Sequence, residues 1–194
     1  MSTLPARYDQ YFGGERIPMP TETLYLCLEG QVLLSIPYAR GDEGILGLVT
    51  AGMVFGEGLS PACIATALTA VRLQRLRPGE GGEREGAALL VEGLLARLRS
   101  SQALIAVANQ RRVEDRFRAF LLFLMEQVGR PTAQGVHLEV RLTHQQIASA
   151  IASTRVTVTR LMRRFREQEL ISDGQQQIVI LDAERLRRPL EPSS

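Results

Sequence analysis

The 194-residue sequence contains no lysine and no tryptophan, and it has only two cysteines and two histidines. Cys27 and Cys63 show no CxxC spacing and are too few for an iron–sulfur cluster held by four cysteines, so we expect two buried thiols. His137 and His144 are too few for the histidine and glutamate cluster of a cupin-type metal centre. Since no Ser-His-Asp set or phosphate-binding loop is visible either, the sequence predicts no metal site, no catalytic residues and no enzyme.

Long apolar runs are also absent, and residues 1–5 do not form a signal peptide. We therefore expect a cytoplasmic protein that contacts no membrane. The hydrophobic fraction of 45% and the charged fraction of 23% are those of an ordinary globular protein. The length allows one large domain or two small ones.

The charge is unevenly distributed along the chain. Residues 1–110 carry 9 arginines and 11 acidic residues, net −2, whereas residues 111–194 carry 14 arginines and 10 acidic residues, net +4. A basic C-terminal half favours an anionic partner for that half.

Residues 141–172 have the pattern of two short helices joined by a tight turn. Thr143 is a suitable N-cap for a helix over residues 144–151, Ala152-Ser153 forms the turn, and Thr154 is a suitable N-cap for a second helix that ends near residue 169. At about 100° per residue, the second helix has one apolar face. That face is formed by Val158, Leu161, Met162 and Phe165.

The opposite face of the second helix carries arginine, threonine and one valine. The six arginines between residues 141 and 166 have no acidic residue among them. One interpretation is a solvated charged face on an ordinary core helix. The other is DNA binding, since arginine reads guanine in the major groove and an exposed valine packs on a thymine methyl. The helix-turn-helix spacing favours DNA.

Two sets of DNA contacts follow from this interpretation. The residues that we expect to read bases are Arg155, Val156, Thr159 and Arg160. The residues that we expect to contact phosphates are Thr143, His144, Ser153, Thr154, Thr157 and Arg163. A protein that coats DNA without sequence preference is the remaining alternative, and its binding would depend steeply on salt.

Short apolar runs separated by glycines dominate residues 8–77, and 14 of the 17 glycines lie at or before Gly93. The runs cover residues 24–28, 32–37, 45–49 and 65–76. Many short strands with regular turns predict a jelly roll or a barrel.

After a break at residues 78–82, a long helix is predicted over residues 83–110. A heptad seam follows its length. The seam consists of Ala87, Val91, Leu94, Leu98, Ser101, Ile105 and Ala108. We expect a dimer interface along this seam, while a second stripe of Leu89, Leu90, Leu95 and Leu104 would face the β-domain. The alternative is a helix that simply lies on its own β-domain.

The remaining C-terminal elements complete a winged helix. Residues 109–112 are a candidate hinge, residues 113–128 a helix, residues 129–135 a loop and residues 136–141 a short strand. A hairpin over residues 170–181 is predicted to turn at Asp173-Gly174. Residues 184–194 are predicted to be a loose tail.

The run LTHQQIASAIASTRVTVTRLMRRFREQELIS resembles the helix-turn-helix of the CRP/FNR family of bacterial transcription regulators, and above all its cyanobacterial nitrogen regulators. The resemblance is specific over residues 111–181 and weaker over residues 8–110. It implies an α+β fold with a shortened cyclic-nucleotide-binding-type β-roll, or jelly roll, in residues 1–82. A dimerisation helix and hinge would follow in residues 83–110, and a winged helix-turn-helix in residues 111–194.

The resemblance also implies a function. The expected protein is a nutrient-responsive homodimeric regulator, answering to nitrogen or phosphate supply, that reads a GTA–N8–TAC-like palindrome. The segment 129–135 matches the surface that some relatives use to contact RNA polymerase.

An effector pocket is implied between the roll and the long helix. Phe55-Gly56 and Arg97 match a 2-oxoglutarate site, but Ala62 replaces a second arginine and Gln102 replaces an acidic residue. For cAMP, Glu57 suits a ribose hydroxyl. A dianion with one guanidinium is poorly compensated, so we expect a degenerate pocket. The alternatives are a rearranged 2-oxoglutarate or cAMP site, or a pocketless turn in which Arg97 pairs with Glu57 or Glu92.

Overall fold

The computed structural model describes residues 8–39, 43–60, 62–76, 83–174 and 177–188. The chain divides into two compact units, Met1–Ser101 and Gln102–Ser194. The first unit is a β-roll with the start of a long helix, and the second is a winged helix-turn-helix. The predicted α+β fold class is therefore confirmed.

In the described part of the first unit, the β-roll contains eight strands in two antiparallel four-stranded sheets. One sheet has the order β1-β8-β3-β6 and consists of β1 (Tyr8–Tyr11), β8 (Val71–Leu76), β3 (Leu24–Glu29) and β6 (Val54–Gly56). The other has the order β2-β7-β4-β5 and consists of β2 (Arg16–Ile17), β7 (Ile64–Ala67), β4 (Val32–Pro37) and β5 (Glu43–Val49).

The core of the roll is made of side chains from both sheets. Tyr25 and Phe55 stack with their ring centroids 5.4 Å apart, and Val32, Leu34 and Leu73 are fully buried around them. Such close packing of apolar side chains gives the unit a hydrophobic core of its own.

The strand predictions for the roll were right in place but incomplete. Residues 65–76 form two strands rather than one, because the chain turns between β7 and β8. The short strands β1, β2 and β6 were not predicted, since two to four residues carry too little alternation to be recognised. Gly30, in the turn after β3, has a φ of 83°, and a Cβ there would overlap the carbonyl oxygen of Ala70.

Helix α1 spans Glu83–Ala108, in agreement with the predicted long helix. Its buried positions are Gly93, Ser100, Leu104 and Val107. Gly93 packs so closely on Val54 that a Cβ would lie 2.5 Å from its Cγ2, and the hydroxyl of Ser100 donates to the carbonyl oxygen of Leu48 at 3.3 Å. Small residues at helical spacing, Gly93 and Ser100, therefore pack against the strands of the first unit.

The predicted second stripe was wrong. Leu89 is 46% exposed and Leu95 is 45% exposed. At about 100° per residue, Leu95 lies about 180° from Leu104, so the two leucines cannot share one face. The heptad seam is a different face, centred about 130° from the buried side, and Val91, Leu98 and Ile105 on it are 53–60% exposed.

Among its described residues, the second unit contains four further helices and one sheet. Its helices are α2 (Val113–Val128), α3 (His144–Ala150), α4 (Arg155–Glu167) and α5 (Ala183–Arg187). Its strands, β9 (Gly129–Thr132), β10 (Gly135–Leu138), β11 (Ile171–Gly174) and β12 (Gln177–Ile180), form a sheet of order β11-β12-β10-β9. None of the described helices combines the length and apolar character that a membrane crossing requires.

The predicted loop over residues 129–135 was wrong, because β9 and β10 form a hairpin there. β9 is an edge strand, where Pro131 is tolerated and no side chain needs to be apolar. The wing turn was misplaced as well. Asp173 and Gly174 belong to β11 and pair with Ile178 and Gln177, so the strands are joined by residues 175–176, which lie outside the described residues.

The predicted loose tail was wrong for its first part, where α5 forms. Asp182 accepts a hydrogen bond from the backbone N–H of Arg185, and Leu186 is fully buried. Arg118 of α2 is only 8% exposed and donates to the carbonyl oxygens of Arg185, Leu186 and Arg188. A guanidinium at a helix C-terminus complements the helix dipole and satisfies its last carbonyls. Residues 189–194 lie outside the described residues.

Candidate nucleic-acid interface

Helix α3 begins with a capping box, as its sequence suggests. The backbone N–H of Gln146 donates to Thr143 Oγ1 at 3.1 Å, and the backbone N–H of Thr143 donates to Gln146 Oε1 at 2.8 Å. The predicted N-cap is confirmed. It fixes the start of α3, and with it the position of His144.

The turn between α3 and α4 contains a residue with a left-handed backbone. Ala152 has a φ of 47°, and its carbonyl oxygen accepts a hydrogen bond from Arg116 at 3.3 Å. Thr154 then caps α4, accepting from the backbone N–H of Thr157 at 3.2 Å, and the two threonine hydroxyls are 2.9 Å apart. Side chains of α2 and α4 thus set the geometry of the turn.

The apolar face of α4 is buried as predicted. Val158 and Phe165 are fully buried, and Met162 is 3% exposed. Phe165 packs edge-on against Phe117 of α2, with ring centroids 5.0 Å apart. This contact anchors α4 on α2, and the opposite face of α4 points away from the core of the unit.

That opposite face carries all the predicted base-reading residues. Arg155, Val156, Thr159 and Arg160 are exposed, together with Arg163. Val156 is 67% exposed, the highest value among the exposed large apolar residues of the second unit. At this exposure, the Val156 side chain contributes little to the packing of the unit.

The arginines of α4 fall into two groups. Arg163 pairs with Glu167 at 2.8 Å, Arg164 with Glu114 of α2 at 2.7 Å, and Arg166 with Asp173 of β11 at 3.0 Å. Among the described residues, Arg155 and Arg160 have no carboxylate within 4.0 Å. Two of these carboxylates, Glu114 and Asp173, come from other segments, and Glu167 is the last residue of α4 itself. All three pair with arginines of the C-terminal half of α4.

His144 connects α3 to the exposed face of α4. Its Nδ1 lies 2.8 Å from Thr159 Oγ1, and the same hydroxyl lies 2.9 Å from the carbonyl oxygen of Arg155. His144 is half-buried, while Thr159 is exposed. The hydroxyl of Thr159 is thus already engaged within the protein, and only its methyl group remains unengaged.

In the first unit, the predicted effector residues do not form one cluster. Phe55 is buried in the core, and Gly56 is so close to the backbone of Thr23 that a Cβ would overlap it. Glu57 begins a short 3-10 turn and borders an open groove of about 390 Å³. The groove is lined by Arg16, Ile17, Pro18, Met19, Glu57, Ala62, Cys63, Ile64 and Ala65.

Arg97 of α1 is half-buried beside Gly47 of β5 and donates a hydrogen bond to Ser101 Oγ. Burial lowers the pKa of Arg97 below its usual value. The pairing of Arg97 with Glu57 or Glu92 was a wrong prediction, since neither carboxylate contacts it. Gln102 is exposed and lies about 140° from Arg97 around the helix, so it does not join Arg97.

Only one of the two cysteines is fully buried. Cys27 is at 0% exposure, and desolvation raises the pKa of its thiol to about 11. Cys63 is half-buried next to the groove, and burial raises its pKa as well. The prediction of two buried thiols therefore holds for Cys27 alone.

Comparison with known proteins identifies the family of this chain. Residues 115–189 match the Crp-like helix-turn-helix domain. The global nitrogen regulator of Synechococcus elongatus is 32% identical over 92% of this chain and 87% of its own length. The chain belongs to the CRP/FNR family of transcription regulators. Family membership makes the helix-turn-helix of α3 and α4 a DNA-binding element.

Further relatives of this CRP/FNR protein agree with the assignment. The global nitrogen regulator of a Nostoc species is 33% identical over 83% of this chain and 78% of its own length. The solved structure of a CRP-family transcriptional regulator from Thermus thermophilus has a TM-score of 0.80 and 26% identity, and the match covers 92% of this chain and 94% of the Thermus chain. The relatives and the fold therefore identify a DNA-binding transcription regulator.

Proposed function

We propose that this CRP/FNR protein acts as a homodimer that binds a palindromic DNA site of the GTA–N8–TAC type. The observation that carries the proposal is the exposed face of α4. There, Arg155 and Arg160 have no carboxylate partner among the described residues, and Val156 is exposed between them. Two guanidinium groups and one apolar side chain are the chemistry that reads guanine and thymine edges in the major groove.

Most of the proposed phosphate contacts lie at the N-termini of helices α3 and α4. Thr143 and Thr154 cap α3 and α4, so His144, Ser153 and Thr157 lie beside the helix N-termini. Helix N-termini attract phosphate through their free N–H groups and the helix dipole. Arg163 lies about one and a half turns beyond Thr157 on α4 and pairs with an exposed Glu167, from which a phosphate can draw it away.

The proposed dimer is supported by the exposed apolar side chains along the heptad seam of α1. Val91, Leu98 and Ile105 are 55%, 53% and 60% exposed in the single chain, although they repeat with heptad spacing. Leu94 and Ser101 on the same seam are half-buried. Two copies joined along this seam would each present one α4, and recognition helices about 34 Å apart fit the successive half-sites of a palindrome.

The first test is binding to two DNA duplexes of equal length and composition. One contains GTA–N8–TAC and the other a scrambled arrangement of the same bases. Fluorescence anisotropy at fixed salt should give at least a tenfold lower Kd for the palindrome, because one mismatched base pair alone costs ~1–3 kcal/mol. Equal affinity for both duplexes, with a steep salt dependence, would indicate the non-specific coating protein instead.

The second test separates the seam from the rest of α1. Leu98→Arg places a charge on the seam, and light scattering should then report monomers that bind the palindrome poorly. Leu89→Arg is the matched control, because Leu89 is similarly exposed but lies on the opposite side of the helix. A dimer that survives Leu98→Arg and dissociates with Leu89→Arg would contradict the proposed interface.

Contact with RNA polymerase is proposed at the β9–β10 hairpin, because the segment 129–135 resembles the surface that some relatives use for this contact and its residues 131–134 are exposed. Gln134→Glu at the hairpin tip should reduce transcription from a cognate promoter without changing DNA affinity. Unchanged transcription would argue against this surface.

For the sensor, we propose a degenerate pocket in a nutrient-responsive regulator, with nitrogen or phosphate as the nutrient. Ala62 and Gln102 remove two of the expected polar groups, so neither 2-oxoglutarate nor cAMP should bind with micromolar affinity. One observation favours an effector-responsive alternative: Arg97 is half-buried with no carboxylate partner among the described residues. Calorimetric titration decides between them, and micromolar binding that disappears in Arg97→Gln would establish the alternative.

A further inference from the structure

The hydroxyl of Thr159 fixes the proton arrangement of His144. It lies 2.9 Å from the carbonyl oxygen of Arg155 and 2.8 Å from Nδ1 of His144. A carbonyl oxygen can only accept, and a threonine hydroxyl has one proton to give. Since that proton goes to the carbonyl oxygen, the hydroxyl must accept from the imidazole. Nδ1 of His144 therefore carries a hydrogen.

This tautomer has a consequence for binding to phosphate. In a neutral imidazole with a hydrogen on Nδ1, Nε2 has only a lone pair and acts as an acceptor. Phosphate ester oxygens are acceptors too, so neutral His144 and a phosphate repel one another. A hydrogen bond from Nε2 to the DNA backbone requires a second proton, which converts His144 into an imidazolium.

We propose that His144 contacts the DNA backbone as an imidazolium and that each protomer therefore takes up about one proton when it binds DNA. Thr159 is the positioning residue that imposes this requirement, rather than a donor to a base. The proposal rests on the proposed function, in which His144 is a phosphate contact. It makes DNA affinity depend on pH.

The charged groups around His144 leave few other sources for such a dependence. Helix α3 carries no other charged residue, and the adjoining segment carries Arg141. On α4, Arg155 and Arg163 lie one turn before and one turn after Thr159, and Arg160 is adjacent to it. Arginine side chains and carboxylates ordinarily keep their charge between about pH 6 and 8, so the pair of Arg163 with Glu167 and the other arginines do not supply such a dependence.

The remaining histidine supplies a matched control. His137 lies in β10, paired with Val179 and close to Gly174 of the wing sheet. His137→Gln removes the same titrating group from the same unit and leaves the contact between His144 and Thr159 intact. It should keep the pH dependence of the original protein.

The experiment measures Kd by fluorescence anisotropy between about pH 6 and 8.5 at constant ionic strength, on the palindrome and the scrambled duplex. For the original protein, Kd should rise with pH, by up to about tenfold per pH unit for each protomer, because deprotonation of His144 removes the hydrogen from Nε2. The same slope should appear on both duplexes, because a phosphate contact does not depend on sequence.

Three variants test whether His144 is the group that takes up the proton and whether Thr159 imposes this requirement. His144→Gln keeps an N–H donor at every pH, so its Kd should be nearly independent of pH. Thr159→Val removes the hydroxyl and lets neutral His144 carry its hydrogen on Nε2, so the slope should become shallower. Thr159→Ser restores the hydroxyl and should restore the slope. A slope unchanged in His144→Gln would overturn the proposal.

The outcomes also separate this proposal from the proposed function. A pH-independent Kd with a retained preference for the palindrome overturns proton uptake and leaves sequence-specific binding intact. A rising Kd with no preference between duplexes supports proton uptake and contradicts base reading.

Discussion

The arginines in the two halves of helix α4 differ in whether they pair with carboxylates. In the C-terminal half, Arg163, Arg164 and Arg166 each pair with a carboxylate at 2.7–3.0 Å. In the N-terminal half, Arg155 and Arg160 have no carboxylate within 4.0 Å among the described residues. The positive charge of the N-terminal half is therefore not paired with a carboxylate among the described residues, while two of the three ion pairs of the C-terminal half tie the helix to its neighbours.

The comparison shows that a count of charges within one segment does not measure what that segment offers to a partner. Glu114 and Asp173 come from α2 and β11, on either side of α4, and tie it to both neighbours. A DNA-reading helix benefits from such ties, because base contacts require a helix held within fractions of an ångström.

The largest effect is expected for a change in the N-terminal half. Arg155→Ala should weaken binding to the palindrome by ~1–3 kcal/mol, about 5- to 150-fold, because a bidentate contact to guanine is lost. Anisotropy titrations on duplexes with single base-pair changes should also show relaxed preference at one position. An equal loss on every duplex would make Arg155 a phosphate contact and weaken the distinction between the halves.

A smaller effect, on stability, is expected where α4 meets α2. Glu114 has a side chain only 17% exposed, whereas Arg164 is 50% exposed, so solvent screens the pair only partly. A double-mutant cycle of Glu114→Gln and Arg164→Gln should give a coupling of ~1 kcal/mol in urea unfolding. The affinity for DNA should change little. A large loss of affinity in Arg164→Gln would mean that the C-terminal half also contacts DNA directly.

A weaker coupling is expected between Arg166 and Asp173, because their side chains are 37% and 54% exposed. The cycle of Arg166→Gln and Asp173→Asn should give ~0.5 kcal/mol at low salt, and less at high salt. Urea unfolding at two salt concentrations measures it. A coupling as large as that of Glu114 and Arg164, and insensitive to salt, would show that exposure does not rank these pairs.

The features of α4 that could be predicted from the sequence are its faces and its caps, which depend on nearby residues only. The period of about 3.6 residues places Val158 and Phe165 inward and Arg155 outward, and the caps at Thr143 and Thr154 are set by neighbours within three residues. Local geometry of this kind is encoded in adjacent positions, so it could be read directly. The fold of the roll followed from glycine spacing and from the family resemblance.

What could not be predicted depends on residues far apart in the chain. Arg164 and Glu114 are 50 residues apart in the sequence, so no local sequence pattern indicates that they pair. The helix α5 was missed because its stability comes from burial of Leu186 and from Arg118 in α2. Leu95 was predicted on the packed face of α1 because leucines were expected to mark that face. The small residues Gly93 and Ser100 were the better indication of the packed side.

The smallest effect is expected at Arg163, which lies between the two halves. Its pair with Glu167 is the most exposed on the helix, with side chains 80% and 59% exposed, so Arg163→Ala should change the free energy of unfolding by less than ~0.5 kcal/mol. If Arg163 contacts a phosphate, the variant should weaken binding equally on all duplexes and reduce the slope of log Kd against log salt by about 1. Glu167→Gln should act in the opposite direction, since it frees Arg163 for DNA. A change in sequence preference in either variant would move Arg163 into the base-reading group and shift the boundary between the halves by one turn.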